Sequence, residues 1–277
     1  MRRRLDLELV RRGLAPSRSA AQALVDAGVV TVSGAAATKA ARLVDPGEPV
    51  VVAEVPPFVS RGGLKLRAAL ERVSLPLAGA DVLDAGASTG GFTDCLLQGG
   101  VGRVVAVDVG HGQLHERLRG DPRVVVRERT NVRDLPPAWC PTPDGLVDGV
   151  VGDLSFISLR TVLPALRAQL RSGGWMVLLV KPQFEAGRAV VDRGAGVVRD
   201  PAVWAEVLSD ISAAVEGLGG SIMDVVDAPI RGAAGNVEFL VVASFGGRPR
   251  DASAVVGDLI ARSVAAASER WSGGTEP

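Results

Sequence analysis

Two lysines and two carboxylates stand beside segments that are otherwise apolar, and together they could move a proton. Asp153 and Lys181 come at the ends of predicted strands, and Glu238 enters the last predicted strand among apolar neighbours, where a carboxylate needs a partner. Lys65 lies in the first turn of a predicted helix, a poor place for a cation. If the four converge above one sheet, Lys181 can accept a proton from a hydroxyl while Lys65 stabilises the developing alkoxide. Four unrelated salt bridges are the alternative, and the residues alone leave both open.

A glycine-rich turn between a strand and a helix is the candidate ligand site. Val82–Asp94 reads VLDAGASTGGFTD, in which Asp84 lies near the end of the strand and Gly86, Gly90 and Gly91 free the backbone to turn sharply. The N–H groups at the start of the helix then point toward the turn. Because GASTGG does not match G-x-G-x-x-G, the pattern predicts a nucleotide-type ligand other than a dinucleotide. A tight turn without a ligand is the alternative.

Side chains after the next two strands complete this candidate site. Asp108 ends the second predicted strand, 22 residues after Gly86, where an acid commonly binds the ribose hydroxyls of a nucleotide. A structural capping role is the alternative for this aspartate. Asn131 and Asp134 follow the third predicted strand, where a bound adenine would lie.

Strands and helices alternate from residue 60 onward, which predicts one parallel, doubly wound α/β sheet. The predicted strands span residues 81–85, 103–108, 123–127, 146–152, 174–181, 220–227 and 236–244. The predicted helices lie near residues 60–73, 91–99, 112–119, 158–171, 201–217 and 252–268. A short turn, Pro229–Gly235, joins the last two strands, so we expect one antiparallel strand. We also expect residues 182–200 to form a mobile loop over the substrate.

The first 57 residues form a smaller unit with a basic surface. Two short helices, a strand and a hairpin in about 50 residues suit a binding module better than a catalytic unit. Residues 1–44 carry eight basic and three acidic side chains, although the whole chain has a net charge of zero. This asymmetry predicts an attachment surface, with an ordinary solvated face as the alternative. We place the domain boundaries at residues 1–57, 58–248 and 249–277.

Composition argues against disulfide, metal and membrane classes. Cys95 and Cys140 are isolated, which gives no disulfide framework and no zinc spacing. His111 and His115 are four residues apart without a third ligand nearby, so we expect no metal site. No run of about 18 apolar residues could span a bilayer, and the basic N-terminus precedes a helix-patterned segment rather than a signal peptide. We therefore expect a cytoplasmic protein without a membrane partner.

Spaced arginines and glycines mark the N-terminal segment. The pattern consists of Arg4-Leu5-Asp6, Arg11-Arg12-Gly13-Leu14, Ser17-Arg18 and Val30-x-Val32-x-Gly34. It resembles the RNA-binding S-four domain, which is named after a ribosomal protein and whose two helices present arginines to structured RNA. The resemblance implies that Arg4, Arg11, Arg12 and Arg18 contact RNA here. Ser33-Gly34 departs from the more usual Asn-Gly turn.

Four motifs in the rest of the chain occur together in one family. They are Leu83–Thr93 (LDAGASTGGFT), Asp153–Ser158 (DLSFIS), Lys181–Glu185 (KPQFE) and Gly235–Glu238 (GNVE). They resemble the FtsJ-type S-adenosylmethionine-dependent RNA 2′-O-methyltransferases. With Ser60–Lys65 (SRGGLK) and the N-terminal segment they resemble the TlyA family, historically called haemolysin A. The resemblance runs from Leu5 to about Phe245 and departs at Gly63-Leu64, where Ala-His is common.

This resemblance implies a Rossmann-like class I methyltransferase sheet of seven strands, the last one antiparallel, with a small N-terminal α+β RNA-binding domain. It implies S-adenosyl-L-methionine as the donor and a cytidine ribose 2′-hydroxyl in ribosomal RNA of the small subunit, the large subunit or both as the acceptor. The family's catalytic tetrad falls on Lys65, Asp153, Lys181 and Glu238. Its donor site falls on Gly86, Ser88, Thr89, Gly90, Gly91 and Asp108, to which we add Asp84, Asn131 and Asp134.

We hypothesise direct in-line displacement, in which the ribose 2′-hydroxyl attacks the donor methyl group. Lys181 takes or orients the hydroxyl proton, and Asp153 and Glu238 hold the lysines. A non-catalytic RNA-binding or ribosome-assembly protein is one alternative, although all four tetrad positions are filled. A membrane-active haemolysin is another, which no hydrophobic span supports. The C-terminal helix could finish the outer layer of the sheet or contact RNA.

Overall fold

The structure, a computed structural model, describes residues 2–26, 28–53, 56–187, 191–192, 194–246 and 252–271. The chain divides into two compact units, Met1–Pro57 and Phe58–Pro277. Buried apolar side chains form a core in each of them. We therefore describe the N-terminal unit and the C-terminal unit separately.

The N-terminal unit packs two helices against short strands. Its helices are α1 (Leu5–Arg11) and α2 (Arg18–Asp26). Its strands are β1 (Arg3–Arg4), β2 (Val30–Val32), β3 (Ala35–Ala36), β4 (Leu43–Val44) and β5 (Val50–Val52). β2 pairs antiparallel with β3 and β5, and β1 pairs antiparallel with β4. Ser33 and Gly34 both have positive φ, at 53° and 80°, as a two-residue hairpin between twisted strands requires.

The C-terminal unit is built on a single seven-stranded sheet. Its strands are β6 (Asp81–Ala85), β7 (Arg103–Val107), β8 (Val124–Arg127), β9 (Val147–Gly152), β10 (Leu170–Val180), β11 (Gly220–Asp227) and β12 (Phe239–Phe245). They lie in the order β11-β12-β10-β9-β6-β7-β8. The neighbours from β10 to β8 are parallel, whereas β12 is antiparallel to both β10 and β11. The predicted seven-stranded α/β sheet with an antiparallel last strand is confirmed.

Helices cover both faces of this sheet. On one face lie α3 (Gly62–Arg72), α4 (Gly91–Gln98) and α5 (Glu116–Arg119), and on the other lie α6 (Leu159–Arg167), α8 (Pro201–Gly217) and α9 (Ala252–Trp271). The short α7 (Pro182–Glu185) follows β10. Helix α9 packs on β11 and α8, so it completes the outer layer of the sheet. In the described part of the chain, no helix is both long and apolar enough to cross a membrane.

Two strands begin three or more residues away from their predicted starts. β10 begins at Leu170 rather than at residue 174, because the chain stays extended through Gly173 and Gly174, with an irregular register against β9 between Leu170 and Trp175. β12 begins only at Phe239, because Asn236 hydrogen-bonds to a connecting segment rather than to a neighbouring strand. Glu238 therefore lies immediately before the strand, at its open end.

Asp84 ties the end of β6 to the following helix. Thr93, in the first turn of α4, donates a hydrogen bond from Oγ1 to Asp84 Oδ2 at 2.6 Å, and both side chains are fully buried. Burial raises the pKa of Asp84 to about 7, against the hydrogen bond from Thr93, which lowers it. This carboxyl group thus fixes the strand and the helix on either side of the glycine turn.

We expect Asp84 to make the C-terminal unit less stable as the pH rises. Because its pKa is about 7 when folded and near 3.8 when unfolded, its contribution is full below about pH 4 and is lost as the pH rises through about 7. Asp84→Asn keeps an acceptor for Thr93 and removes the titration. From about pH 4 to about pH 8, the unfolding free energy of the variant should therefore gain on the order of 1–4 kcal/mol over the wild type. Denaturant titrations measure this difference, and a constant difference would contradict the assignment.

We expect replacement of a glycine in the central strand β9 to lower the stability of the C-terminal unit. Gly149 pairs with Trp175 on β10, and an added Cβ would overlap the indole ring. Gly149→Ala should lower the unfolding free energy by about 1–3 kcal/mol, the usual cost of overpacking a core. Gly257→Ala is the matched control, because Gly257 is exposed on α9 with open space at its Cβ position. That variant should be more stable than the wild type by about 0.5–1 kcal/mol, since alanine favours helix.

Candidate active site

The four predicted catalytic residues meet at one edge of the seven-stranded sheet. Asp153 directly follows β9 and Lys181 directly follows β10, at the carboxyl ends of two parallel strands. Because β12 is antiparallel, its beginning lies at this same edge and brings Glu238 there. The first turn of α3 adds Lys65. The structure therefore brings the tetrad together, at the edge where open α/β sheets bind ligands.

The tetrad consists of two ion pairs. Lys65 Nζ lies 2.5 Å from Glu238 Oε2, and Lys181 Nζ lies 2.6 Å from Asp153 Oδ1. Both lysines are only 8% exposed, and Glu238 is buried as well, whereas Asp153 is partly exposed. Buried charges persist when each is paired and hydrogen-bonded. The arrangement keeps two amines at the base of a cleft with acids that hold them in place.

Ser155 belongs to this cluster, although the sequence analysis gave it no role. Lys181 Nζ donates a hydrogen bond to Ser155 Oγ at 2.8 Å, so Lys181 is held between this hydroxyl and Asp153. The available signal was the D-x-S spacing directly after a predicted strand. A lone serine is too common for that spacing to indicate a role by itself.

Glu185 links the two loops that carry Asp153 and Lys181, a second role that the sequence analysis missed. Its carboxylate accepts a hydrogen bond from Ser158 Oγ at 2.6 Å and one from the Leu159 backbone N–H at 2.7 Å, at the start of α6. Because Glu185 ends the short helix that follows Lys181, this contact fixes the loop after β9 to the loop after β10.

A cavity of about 420 Å³ lies beside the tetrad, on the β6 side of the sheet. Asp108 forms part of its wall and accepts hydrogen bonds from the backbone N–H groups of Ser88, at 2.8 Å, and Gly110, at 2.7 Å. The predicted donor-site residues that line it are Gly86, Ser88, Asp108 and Asn131. Its size and its mixed apolar and polar wall suit a nucleoside-sized ligand.

A second, smaller cavity of about 190 Å³ adjoins the first one. Lys65, Lys181, Thr89 and Gly91 line it. The two cavities have four wall residues in common, namely Gly86, Ser88, Asp153 and Ser155. A ligand in the larger cavity would therefore have one end next to the tetrad.

Three predicted donor-site residues line neither of these cavities. Asp84 lies beneath the turn, where it holds Thr93. Gly90 is needed for packing, because it has a φ of 98° and an added Cβ would overlap Leu118. Asp134 is exposed and receives a hydrogen bond from Arg133 Nε at 3.2 Å. The sequence placed these residues near the right elements but could not show which way they face.

Close packing around the turn explains one departure from the family pattern. Gly63 is buried in α3, and an added Cβ would overlap the ring of Phe58. A Cβ added to Gly91, at the start of α4, would overlap the Ser60 hydroxyl and the backbone of Gly63. The two helices can therefore approach each other only with glycine at the contact, and this contact sets the position of Lys65.

Two aromatic rings are in contact at the larger cavity, where Phe156 lines the wall and Phe184 is half-buried. Phe156 is 91% exposed and adopts a positive φ of 65°, which is uncommon for a bulky residue. Its ring centroid lies 5.2 Å from that of Phe184. Neither residue was predicted to be a site residue. A strained, exposed ring at a cleft indicates a binding role rather than a packing role.

The predicted loop at residues 182–200 is described only in part, because residues 188–190 and 193 lie outside the described ranges. Its far end is fixed by Asn236. The Asn236 side chain accepts a hydrogen bond from the Val198 N–H and donates one to the Gly196 carbonyl, both at 2.9 Å. Asn236 therefore connects this segment to the turn that carries Glu238.

The arginines predicted to bind RNA all pair with buried acids of α1. Arg4 and Arg18 contact Asp6, and Arg11 and Arg12 contact Glu8. The sequence analysis counted these acids but did not expect them to be buried. Among the described residues, no group of three or more potential ligands could hold a metal ion.

Two family models match the chain. Residues 58–245 match the FtsJ-like methyltransferases. Residues 3–50 match the S4 domain, which is the S-four domain that the N-terminal motif resembles. A Mycobacterium tuberculosis protein named 16S/23S rRNA (cytidine-2′-O)-methyltransferase TlyA is 49% identical over 242 residues, which cover 87% of this chain and 89% of that protein. Hemolysin A of Brachyspira hyodysenteriae is 38% identical over 86% of this chain and 98% of that protein.

A solved structure from Streptococcus thermophilus, of a protein named as a hemolysin, has the same architecture. It is 38% identical to this chain, with a TM-score of 0.70 and a coverage of 95% of each chain. The match to the M. tuberculosis protein covers 242 residues, more than the C-terminal unit contains, so it includes part of both units. The chain therefore belongs to the FtsJ-like methyltransferase family and, within it, to the TlyA proteins.

Proposed function

We propose that this protein transfers a methyl group from S-adenosyl-L-methionine to the ribose 2′-hydroxyl of a cytidine in ribosomal RNA. The observation that carries the proposal is the pair of buried lysine–carboxylate contacts at the sheet edge, next to a nucleoside-sized cavity. The M. tuberculosis relative, which is named for this reaction on 16S and 23S rRNA, supports the choice of substrate. The N-terminal unit, with its S4 domain, would bind the RNA.

The residues of the larger cavity fit the methyl donor. Asp108 can accept hydrogen bonds from ribose hydroxyls, since each carboxylate oxygen has lone pairs beyond those used by Ser88 and Gly110. Only glycine fits at Gly86, because its φ is 85° and an added Cβ would overlap the backbone of Asp153. Without a side chain there, the turn can approach a ligand closely. Asn131 also lines this cavity. When bound, the donor supplies an activated methyl group.

Lys181 is the residue we assign to the hydroxyl proton. Nζ first releases its ammonium proton to solvent and then accepts the hydroxyl proton, and Asp153 and Ser155 hold the ammonium group that forms again. Lys65, which Glu238 fixes, places a positive charge near the oxygen as it becomes negative. The remaining contribution is positioning of the acceptor hydroxyl.

Phe156 and Phe184 give the site a surface for RNA bases. Exposed aromatic rings stack on unpaired bases, and a ribose hydroxyl within folded RNA becomes accessible when its nucleotide leaves the helix. The pair stands beside the cavity that carries Asp153 and Ser155. An RNA strand held there would present its ribose to the tetrad.

We expect Lys181→Arg to abolish most of the activity. Arginine keeps the positive charge but cannot be deprotonated, so it cannot accept the proton. The rate of methyl transfer from labelled donor to unmodified ribosomal subunits should fall by a factor of about 10²–10⁴. Lys39→Arg is the matched control, because it makes the same exchange at an exposed site in the N-terminal unit and should leave the rate nearly unchanged. A Lys181→Arg enzyme with wild-type rate would overturn the proton assignment.

We expect Phe156→Ala to weaken the interaction with RNA more than that with the donor, because the ring lines the donor cavity but is 91% exposed. Loss of one stacked base costs about 1–3 kcal/mol, so the KM for ribosomal RNA should rise by a factor of about 5–150. Donor affinity, measured by calorimetry without RNA, should change little. An unchanged KM for RNA would remove the stacking role and leave the tetrad assignment intact.

A further inference from the structure

Helix α1 carries two acids that contact the arginines of the basic surface, where negative charge is unexpected. Asp6 is completely buried and Glu8 nearly so, although the N-terminal unit has a core of only short aliphatic and small side chains. A carboxylate in such a place needs full compensation. Four arginines supply it.

Asp6 holds two arginines from two different elements. Arg4 donates from Nε to Oδ1 at 3.1 Å and from Nη2 to Oδ2 at 2.8 Å, and Arg18, at the start of α2, donates from Nε to Oδ2 at 2.9 Å. The Leu7 N–H donates to Oδ1 at 2.9 Å. These bonds, with that of Arg4 first, lower the pKa of Asp6 to about 2, so the carboxylate stays charged. Both of its oxygens are occupied.

The outward parts of these two arginines remain available. The Arg4 side chain is 41% exposed and that of Arg18 is 58% exposed. Among the hydrogen bonds of the described residues, Arg18 uses only its Nε, which leaves both terminal nitrogens of the guanidinium group. Two guanidinium groups fixed side by side match the oxygens of a phosphate.

Glu8 also binds two arginines, which differ in their exposure and in their other contacts. Arg11 donates to both carboxylate oxygens, at 2.8 and 2.6 Å, and is half-exposed. Arg12 donates to Glu8 at 2.7 Å and also to the backbone carbonyls of Glu48, at 2.8 Å, and Pro46, at 3.1 Å. With a side chain only 20% exposed, Arg12 holds the turn before β5 rather than facing solvent.

We propose that Asp6 is a positioning residue, which fixes Arg4 and Arg18 as a preformed clamp for a phosphate of the RNA backbone. Glu8 positions Arg11 in the same way, and Arg12 belongs to the fold rather than to the RNA-binding surface. This inference rests on the proposed function, because it takes RNA as the partner. It reduces the predicted set of four RNA-contacting arginines to Arg4, Arg11 and Arg18.

Asp6 has two opposite effects on RNA binding: its charge opposes binding, and the order that it imposes on the arginines favours it. A carboxylate beside a phosphate-binding surface weakens long-range attraction to RNA. In return, it holds side chains that would otherwise lose rotamer freedom on binding. A buried ion pair adds little stability compared with apolar packing, so stability alone is a weak reason for the acid. The two effects predict opposite results when the charge is removed.

The test is Asp6→Asn in the full-length protein, with in vitro transcribed ribosomal RNA of each subunit as the probe. We expect the affinity to fall by about tenfold, although the variant is more positive by one charge. The KM for RNA should rise with little change in kcat, and donor affinity should stay the same. Asp26→Asn is the matched control, because it makes the same charge change at an exposed position of α2. Its affinity should be unchanged or slightly higher.

A double-mutant cycle separates positioning from folding. If Asp6 acts through the two arginines, Asp6→Asn in an Arg4→Ala/Arg18→Ala background should cause no further loss. Additive losses, or an Asp6→Asn affinity equal to that of Asp26→Asn, would overturn the proposal. If Asp6→Asn lowers the melting temperature of the N-terminal unit, Asp6→Glu is used in the same cycle, since it keeps the charge but displaces the carboxylate. A wild-type protein that neither binds nor methylates the RNA would instead overturn the proposed function.

Discussion

The pairing of two buried lysines with two carboxylates is the interaction on which the active site depends. Each amine is only 8% exposed and forms an ion pair with one carboxylate, and the two carboxylates come from strands that run in opposite directions. Asp153 arrives at the carboxyl end of a parallel strand, whereas Glu238 arrives at the beginning of the antiparallel one. The direction of β12 is therefore a chemical requirement as well as a feature of topology.

The choice of lysine at these positions stands out against the rest of the chain. Of its 31 basic residues, only Lys39, Lys65 and Lys181 are lysines, so two of the three lysines lie in the tetrad. Among the described residues, the other ion pairs use arginine, apart from that of His111 with Glu128. Arginine binds carboxylates well but cannot give up its proton, whereas a lysine amine can. This contrast was visible in the sequence and is the strongest signal there for proton chemistry at these sites.

Periodic and local features could be predicted from the sequence, and side-chain direction could not. Apolar runs and glycines located β6, the turn and α4 closely, since these depend on neighbouring residues. The sequence did not reveal that Asp84 lies beneath the turn or that Gly90 packs on Leu118, because both depend on elements distant in the chain. Ser155 and Glu185 escaped notice for the same reason: their partners follow a different strand.

The two units pair carboxylates with different basic residues. In the N-terminal unit, Asp6 and Glu8 hold arginines, which stay charged and so serve for binding. In the C-terminal unit, Asp153 and Glu238 hold lysines, to which the proposed function assigns the proton transfer and the stabilisation of the oxygen. The same kind of contact thus produces a fixed charge in one unit and a reactive amine in the other. Since the acid has the same form in both, the basic partner determines which role the pair performs.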